Sequence, residues 1–363
     1  MSDAETEQAD WLWHRMLLAL VIGAGGGFVF RMLEMPLPWM LGAMGATMVA
    51  ALARLPVVPP KPFGDPLRGT LGVMLGASFT PDLIEQASAY AVSLSILPVF
   101  VVAVAATGYL WLVRKQGIDP LTAYLSVMPG GLYSMMAIAE EKGADLRRVS
   151  LAHGLRIMLL VFTLPFIIQV MEGVSLGRPV DEFTIASDLF ALPVIDALIL
   201  LACLVLGLPL GRVLRLPGAS LLGPLILSVI AHLSGLTTAN VPGDVIVLVQ
   251  IGLGALVGCR FVGTSLDFLK RQLVMSLVLY VMMMVLALGF AFGIAALTGQ
   301  SQAALLLAYA PGGVAEKTLV ALALGVDPAF VIIHHLARLI LVIVGAPVLM
   351  RRFAGEKLTA ERS

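Results

Sequence analysis

Charge is what this sequence has least of. Only 13% of its 363 residues are Asp, Glu, Lys or Arg, while 59% are hydrophobic and 36 are glycine. A soluble globule needs nearer a quarter of its residues charged, so this inventory does not cover a water-facing surface. Neither sign is in excess. Lys plus Arg and Asp plus Glu both total 23, which excludes a basic nucleic-acid face and gives no reason to expect an acidic partner. Cysteine is scarce too: Cys203 and Cys259 lie in apolar blocks without paired spacing, so neither a disulfide framework nor a metal site is implied. With five histidines and no HExxH or GxSxG motif, the chain offers no cofactor or metal site and no support for an enzyme.

What is present is a series of apolar blocks of about 20 residues, the length that crosses a bilayer. The expected fold class is an all-α polytopic membrane protein. The first block, about 11–30, follows an acidic N-terminus and leads straight into further spans, so it reads as a transmembrane helix rather than a signal peptide.

The chain also repeats itself. A shift of 182 residues superposes 128–168 on 310–350 without a gap, with eleven identities that include the polar and helix-breaking positions. Pro129-Gly130-Gly131 falls on Pro311-Gly312-Gly313, Gly143 on Gly325, Asp145 on Asp327, His153 on His335, Arg156 on Arg338 and Pro165 on Pro347. Gly72-x-x-x-Gly76 falls on Gly254-x-x-x-Gly258, a spacing that favours close helix contact.

Each half holds five good spans and one doubtful segment. The spans fall at about 12–31, 36–53, 66–84, 88–113 and 149–171, then 191–212, 217–234, 244–263, 272–297 and 328–350. The doubtful segments, about 119–142 and 301–325, contain the Pro-Gly-Gly, through which no straight helix runs easily. Each is a broken span or a re-entrant hairpin. Loop charge weighs between the two, because Lys and Arg collect on the cytoplasmic side. If both segments span, basic residues divide eleven against eight. If both are re-entrant, they divide seventeen against two, with only Arg31 and Arg178 opposite. The expectation is therefore two inverted repeats of five helices plus one hairpin each. Residues 1–175 form the first repeat, 176–190 a linker, 191–351 the second repeat and 352–363 a tail, with both termini cytoplasmic.

Four basic residues stay at membrane depth: Arg156, Arg260, Lys317 and Arg338. Charge there is expensive and marks a functional candidate. Arg156 and Arg338 each follow a histidine at i−3, so the pair shares one helix face. They either hold hairpin carbonyls or bind an anion. His153 and His335 either carry protons or bond a neighbouring carbonyl. The second hairpin adds Glu316 and Lys317 where the first has Ser134 and Met135, as a cation or proton site in one half or as an internal ion pair. Tyr133, Ser126 and Gln250 are uncharged lining candidates.

The ordered set of Pro-Gly-Gly, Gly-x-Asp and His-x-x-Arg, present twice, resembles the bacterial AbrB duplication membrane family. The resemblance covers nearly the whole chain and implies an inner-membrane protein. That family carries the labels ammonia monooxygenase and regulator, the second for an effect on gene expression. The residues fit neither a metal-dependent oxygenase nor a DNA-binding module. The resemblance also implies an acidic residue near each Pro-Gly-Gly, from which Ser134 departs. Cation-coupled carboxylate symporters with two opposed Gly-rich hairpins are similar at the level of fold. The expected function is secondary transport of a small polar or anionic solute, coupled to protons or sodium. The expected partners are that solute or ion and the bilayer, with no nucleic acid and a homodimer left open. The alternatives are a membrane sensor or scaffold that affects expression indirectly, and an intramembrane enzyme.

Overall fold

The computed structural model describes residues 3–79, 82–129, 132–172, 192–216 and 218–353. The expected linker, 176–190, and most of the tail lie outside them. Fourteen α-helices and short 3-10 turns make up the described residues, with no strand among them. Six are long and apolar enough to cross a membrane: Trp11–Met32, Tyr90–Gln116, Leu146–Met171, Val194–Val213, Gly243–Phe261 and Asp267–Thr298. Pro38–Leu52, Ala219–Leu233 and Pro328–Val342 are apolar but shorter. The chain is an all-helical polytopic membrane protein.

The helices divide into two packing units that cut across the sequence halves. The first comprises Met1–Leu83 with Pro165–Leu269, the second Ile84–Leu164 with Lys270–Ser363.

In the first unit, α1 (Asp3–Met32) packs on α2 (Pro38–Leu52), and α8 (Val194–Val213) on α9 (Ala219–Leu233). Small residues make both contacts possible. Gly26 abuts the Gly42 carbonyl and Gly223 the Gly207 carbonyl, so closely that a Cβ there would overlap backbone. The halves then exchange partners: α3 (Gly64–Gly76) packs on α9 and α10 (Gly243–Gly258) on α2. The two GxxxG faces make these contacts. Gly72 lies over the Leu221 carbonyl and Gly76 over Ser228, while Gly254 lies over the Met40 carbonyl and Gly258 over Thr47. The exposed faces of α1 and α8 are apolar, with Leu17, Val21, Phe28, Val194, Leu198 and Leu206 all outward. In water such faces would be an aggregation liability; in lipid they are the matched surface.

One expected boundary moved. The third span, read as 66–84, ends as a helix at Gly76.

One end of this unit gathers polar groups from both halves. Arg212 at the end of α8 pairs with Asp65 at 2.9 Å, and Arg68 pairs with the same carboxylate at 3.0 Å. Burial alone would raise the Asp65 carboxyl, but the hydrogen bonds from Arg68 and Arg212 outweigh it and hold the group below its usual value.

The second unit contains α4 (Asp82–Gln116) from Ile84, α5 (Pro120–Val127), α6 (Leu132–Lys142) and α7 (Leu146–Glu172) to Leu164. It also contains α11 (Leu266–Thr298) from Lys270, α12 (Gln302–Tyr309), α13 (Val314–Ala323) and α14 (Pro328–Phe353). Both Pro-Gly-Gly segments therefore lie in one unit.

Candidate functional site

Each Pro-Gly-Gly segment is two short helices with a break between them, and local chemistry sets where the break falls. Asp119 caps α5 by accepting from the Thr122 amide at 2.9 Å, with Pro120 at the first helical position. Proline disfavours helix in the residue before it, and Met128 and Ala310 are accordingly extended, at ψ 124° and 139°. So α5 stops at Val127 and α12 at Tyr309, each after only eight residues.

Stopping there leaves the last carbonyls of each short helix without helical donors. In the first segment His153 Nε2 donates to the Leu125 carbonyl at 2.9 Å. Arg156 Nη1 donates to the carbonyls of Ser126 at 3.4 Å and Val127 at 3.3 Å, and Nη2 to that of Met128 at 3.3 Å. In the second, Arg338 Nη1 reaches the carbonyls of Ala308, Tyr309 and Ala310 at 3.4, 3.2 and 3.0 Å. The acceptors match position for position, 182 residues apart. A guanidinium suits this work because it is planar and fixed in charge, with several donors that fan over consecutive carbonyls. It also lies at the negative end of the helix dipole. Of the two roles left open by the sequence, Arg156 and Arg338 take the carbonyl-holding one.

The histidines complete each clamp. Arg156 Nη2 donates to His153 Nδ1 at 2.7 Å, and Arg338 Nη2 to His335 Nδ1 at 2.9 Å. A nitrogen that faces a guanidinium N–H must accept, which leaves the ring proton on Nε2 in both rings. The geometry assigns His153 and His335 as neutral orienting groups.

The path of the first segment follows from these bonds. The Asp145 amide, at the turn into α7, donates to Thr122 Oγ1 in the first turn of α5 at 2.9 Å. Further along, His153 meets Leu125 and Arg156 meets residues 126–128. Thus α5 advances alongside α7 in the same direction, and α6 returns to the starting end. The segment is a hairpin.

The second break differs in its charges. Lys317 and Arg338 are both 0% exposed. The Lys317 ammonium donates to the Ala308 carbonyl at 3.3 Å. Among the described residues no ion pair joins Lys317 to Glu316. Glu316 is half-buried in the first turn of α13, which has no side-chain cap. Its Oε2 lies so close to Gly313 that a Cβ there would collide with it. Gly312 in turn packs against Leu160 of α7, one turn beyond Arg156. Two cations and one carboxylate thus sit at a backbone break among apolar helices.

Around this break is a polar cluster from distant parts of the chain. His334 Nδ1 donates to the Phe330 carbonyl at 2.8 Å, and its Nε2 accepts from the Ser93 hydroxyl at 2.9 Å. The Tyr309 hydroxyl donates to the Ser93 carbonyl, and that of Tyr90 to Asp327 Oδ2 at 3.1 Å. Sequence reasoning missed Ser93, Tyr90 and Tyr309, single polar atoms inside apolar runs and 216 to 241 residues from their partners. For Tyr90, Pro98 in the same helix is no guide, and no local spacing marks the others.

The remaining candidates divide as follows. Pro129 and Pro311 lie buried at the breaks. Gly130 and Gly131 lie outside the described residues, as do the side chains of Ser134 and Tyr133. Ser126 contributes its carbonyl to the Arg156 clamp. Gln250 is buried in α10, in the other unit, and Arg260 lies in that unit as well.

Comparison with known proteins agrees with the resemblance read from the motifs. The family model described as "Transition state regulatory protein AbrB" matches residues 39–354. A Bacillus subtilis (strain 168) protein named "Uncharacterized protein YhjN" is 27% identical over 364 residues, covering 93% of this chain and 94% of its own length. An Escherichia coli (strain K12) protein named "Putative regulator AbrB" is 23% identical over 336 residues, covering 92% and 94%. No solved structure matches. With the family model matched over most of its length, the chain belongs to the AbrB family.

Proposed function

We propose that this protein is a secondary transporter of a small polar or anionic solute, coupled to protons or sodium, with no catalytic chemistry of its own. The observation that carries this reading is the pair of Pro-Gly-Gly breaks, each clamped by a buried arginine over three consecutive carbonyls. Irregular backbone at membrane depth is tolerated where it is enclosed by protein or lines a wet cavity, and paired interrupted helices are how many transporters bind solute.

The halves act as inverted repeats in a bacterial inner membrane, with their hairpins entering from opposite faces. Two contacts support this topology over twelve straight crossings. Asp65 pairs with Arg212, and Arg54 lines a groove with residues 262–265. Twelve crossings would send the members of each pair to opposite faces. Glu316 is the coupling group, and Lys317 tunes its charge.

Purified protein in proteoliposomes should take up a solute from a panel of small carboxylates, amino acids and inorganic anions only when a proton or sodium gradient is imposed. Absence of gradient-driven flux for every solute across a broad panel would refute the proposal. The word "regulator" in the name of the Escherichia coli relative supports a second reading, an indirect effect on gene expression. That reading gains if Arg156 and Arg338 variants keep flux but lose an effect on expression.

A further inference from the structure

The first packing unit carries an open groove of about 450 Å³ at the end where α1 begins and where α2 and α10 finish. Arg15 and Arg54 line it, with Thr264 and Ser265 across from them and Pro56 and Val57 on its wall. Among the described residues that line it, none is acidic. Asp267, in the first turn of α11 two residues after Ser265, is the carboxylate adjacent in sequence and does not line the groove.

Arg54 occupies a position that a side chain ordinarily avoids. It follows the end of α2 with φ 59°, in the left-handed region that favours glycine. At the matching helix end of the second half, Gly235 takes that conformation at φ 73°, with the same three closing hydrogen bonds. Glycine would take that turn freely, and here the position carries a guanidinium at the groove instead.

The groove also sits at the membrane surface. Trp11 and Trp13, on the first membrane turns of α1, are 51% and 45% exposed. Exposed tryptophans at a span's end mark the headgroup level. The Arg15 guanidinium stacks 3.4 Å from the Trp11 ring, which holds it at that depth.

We propose that this groove is a phosphate site, and that its occupant is the headgroup of an anionic phospholipid. Two guanidiniums and two hydroxyls suit a phosphodiester, the guanidiniums by forked hydrogen bonds. The apolar wall beside the tryptophans suits the glycerol and upper acyl chain of a lipid, and a basic pocket at the headgroup level attracts an anionic headgroup. The site rests on membrane embedding alone and stands apart from the transport proposal.

Native mass spectrometry of the full chain in detergent, titrated with dioleoyl phosphatidylglycerol and dioleoyl phosphatidylcholine, tests this. The glycerol lipid should bind in preference to the choline lipid, and the preference should fall by about fivefold with either Arg15→Gln or Arg54→Gly. Arg54→Gly is the decisive variant, because glycine adopts the left-handed turn freely and Tm should hold or rise while lipid affinity drops. Inorganic phosphate and glycerol 3-phosphate at millimolar levels form the second arm. Binding of these without the lipid would keep the phosphate chemistry and assign it to a soluble molecule. Equal binding of both lipids with no effect of the soluble phosphates, or a lipid preference that survives the double variant, would overturn the site.

Discussion

The two Pro-Gly-Gly segments of the second unit are built alike at their backbones and differently in their charges. Both stop a short helix before proline and clamp its last carbonyls with an arginine steered by a histidine three residues earlier. Only the second adds Lys317 and Glu316 at the break, with His334 held nearby. What the two share is what an interrupted helix requires in an apolar setting: partners for carbonyls that would otherwise go unpaired. What only the second has is not needed for that purpose, since the first folds the same clamp with Met135 in place of Lys317. The difference separates architecture from function, and substitutions can test the separation.

The largest expected effect is on stability and follows from removing a shared element. Arg338→Ala strips the Tyr309 and Ala310 carbonyls and the His335 acceptor of this donor at a fully buried position, leaving Ala308 only Lys317, and should destabilise the protein by about 3–5 kcal/mol. Thermal unfolding in detergent reads this as a large fall in Tm, with Arg156→Ala close behind. Arg338→Lys should recover only part of the loss, because an ammonium does not fan over consecutive carbonyls. A neutral Arg338→Ala would mean that the clamp is ornamental.

Next come the residues that only the second hairpin has, where function should fail without loss of stability. Glu316→Gln is nearly isosteric at a half-buried position, so Tm should stay within a degree or two while gradient-driven uptake falls by roughly tenfold or more. Lys317→Met installs the residue of the first hairpin and removes a buried cation. Replacing buried charge with a packed apolar chain is often neutral or stabilising by about 1–4 kcal/mol, so Tm should hold or rise while uptake is impaired. A destabilised Lys317→Met would place Lys317 with the shared framework instead.

A smaller effect is expected at Gly313. A methyl there meets only the carboxylate end of the Glu316 side chain, which can swing aside, so Gly313→Ala should weaken uptake through displaced Glu316 while changing stability by less than about 1 kcal/mol. Smallest of all is the surface cluster at Asp65. Its carboxyl is held below the usual 3.8. The stability it contributes is present above pH 4 and is lost as pH falls below that through the folded value. Because the side chain is 42% exposed, Asp65→Asn should change stability by no more than about 1 kcal/mol, and should remove that acid-side loss. Urea unfolding at pH 7 and near pH 3 measures both.

Much of this was written in the sequence because it is local. Proline after a short apolar helix dictates the break, and a histidine three residues before an arginine dictates a shared face. The GxxxG faces on α3 and α10 likewise announced close contacts. Their partners were hidden, because exchange between halves depends on which surfaces meet after both halves have formed. The carbonyl-holding role of Arg156 and Arg338 was one of two readings that composition left equal, and only the positions of residues 126–128 and 308–310 decided between them. Ser93, Tyr90 and His334 could not be assembled from spacing at all, since their bonds join α4 to α12 and α14 across more than 200 residues. The left-handed Arg54 leaves no trace in sequence, where arginine after a helix reads as an ordinary basic loop.

In the proposed topology the two Pro-Gly-Gly segments, alike in their clamps, open to opposite faces of the membrane. Single cysteines placed at Asp145 and Asp327, with Cys203 and Cys259 both buried in the protein, allow it to be read by membrane-impermeant maleimide labelling in cells and inverted vesicles. Position 145 should label only from the cytoplasmic face and position 327 only from the other. Labelling of both positions from the same face would contradict it.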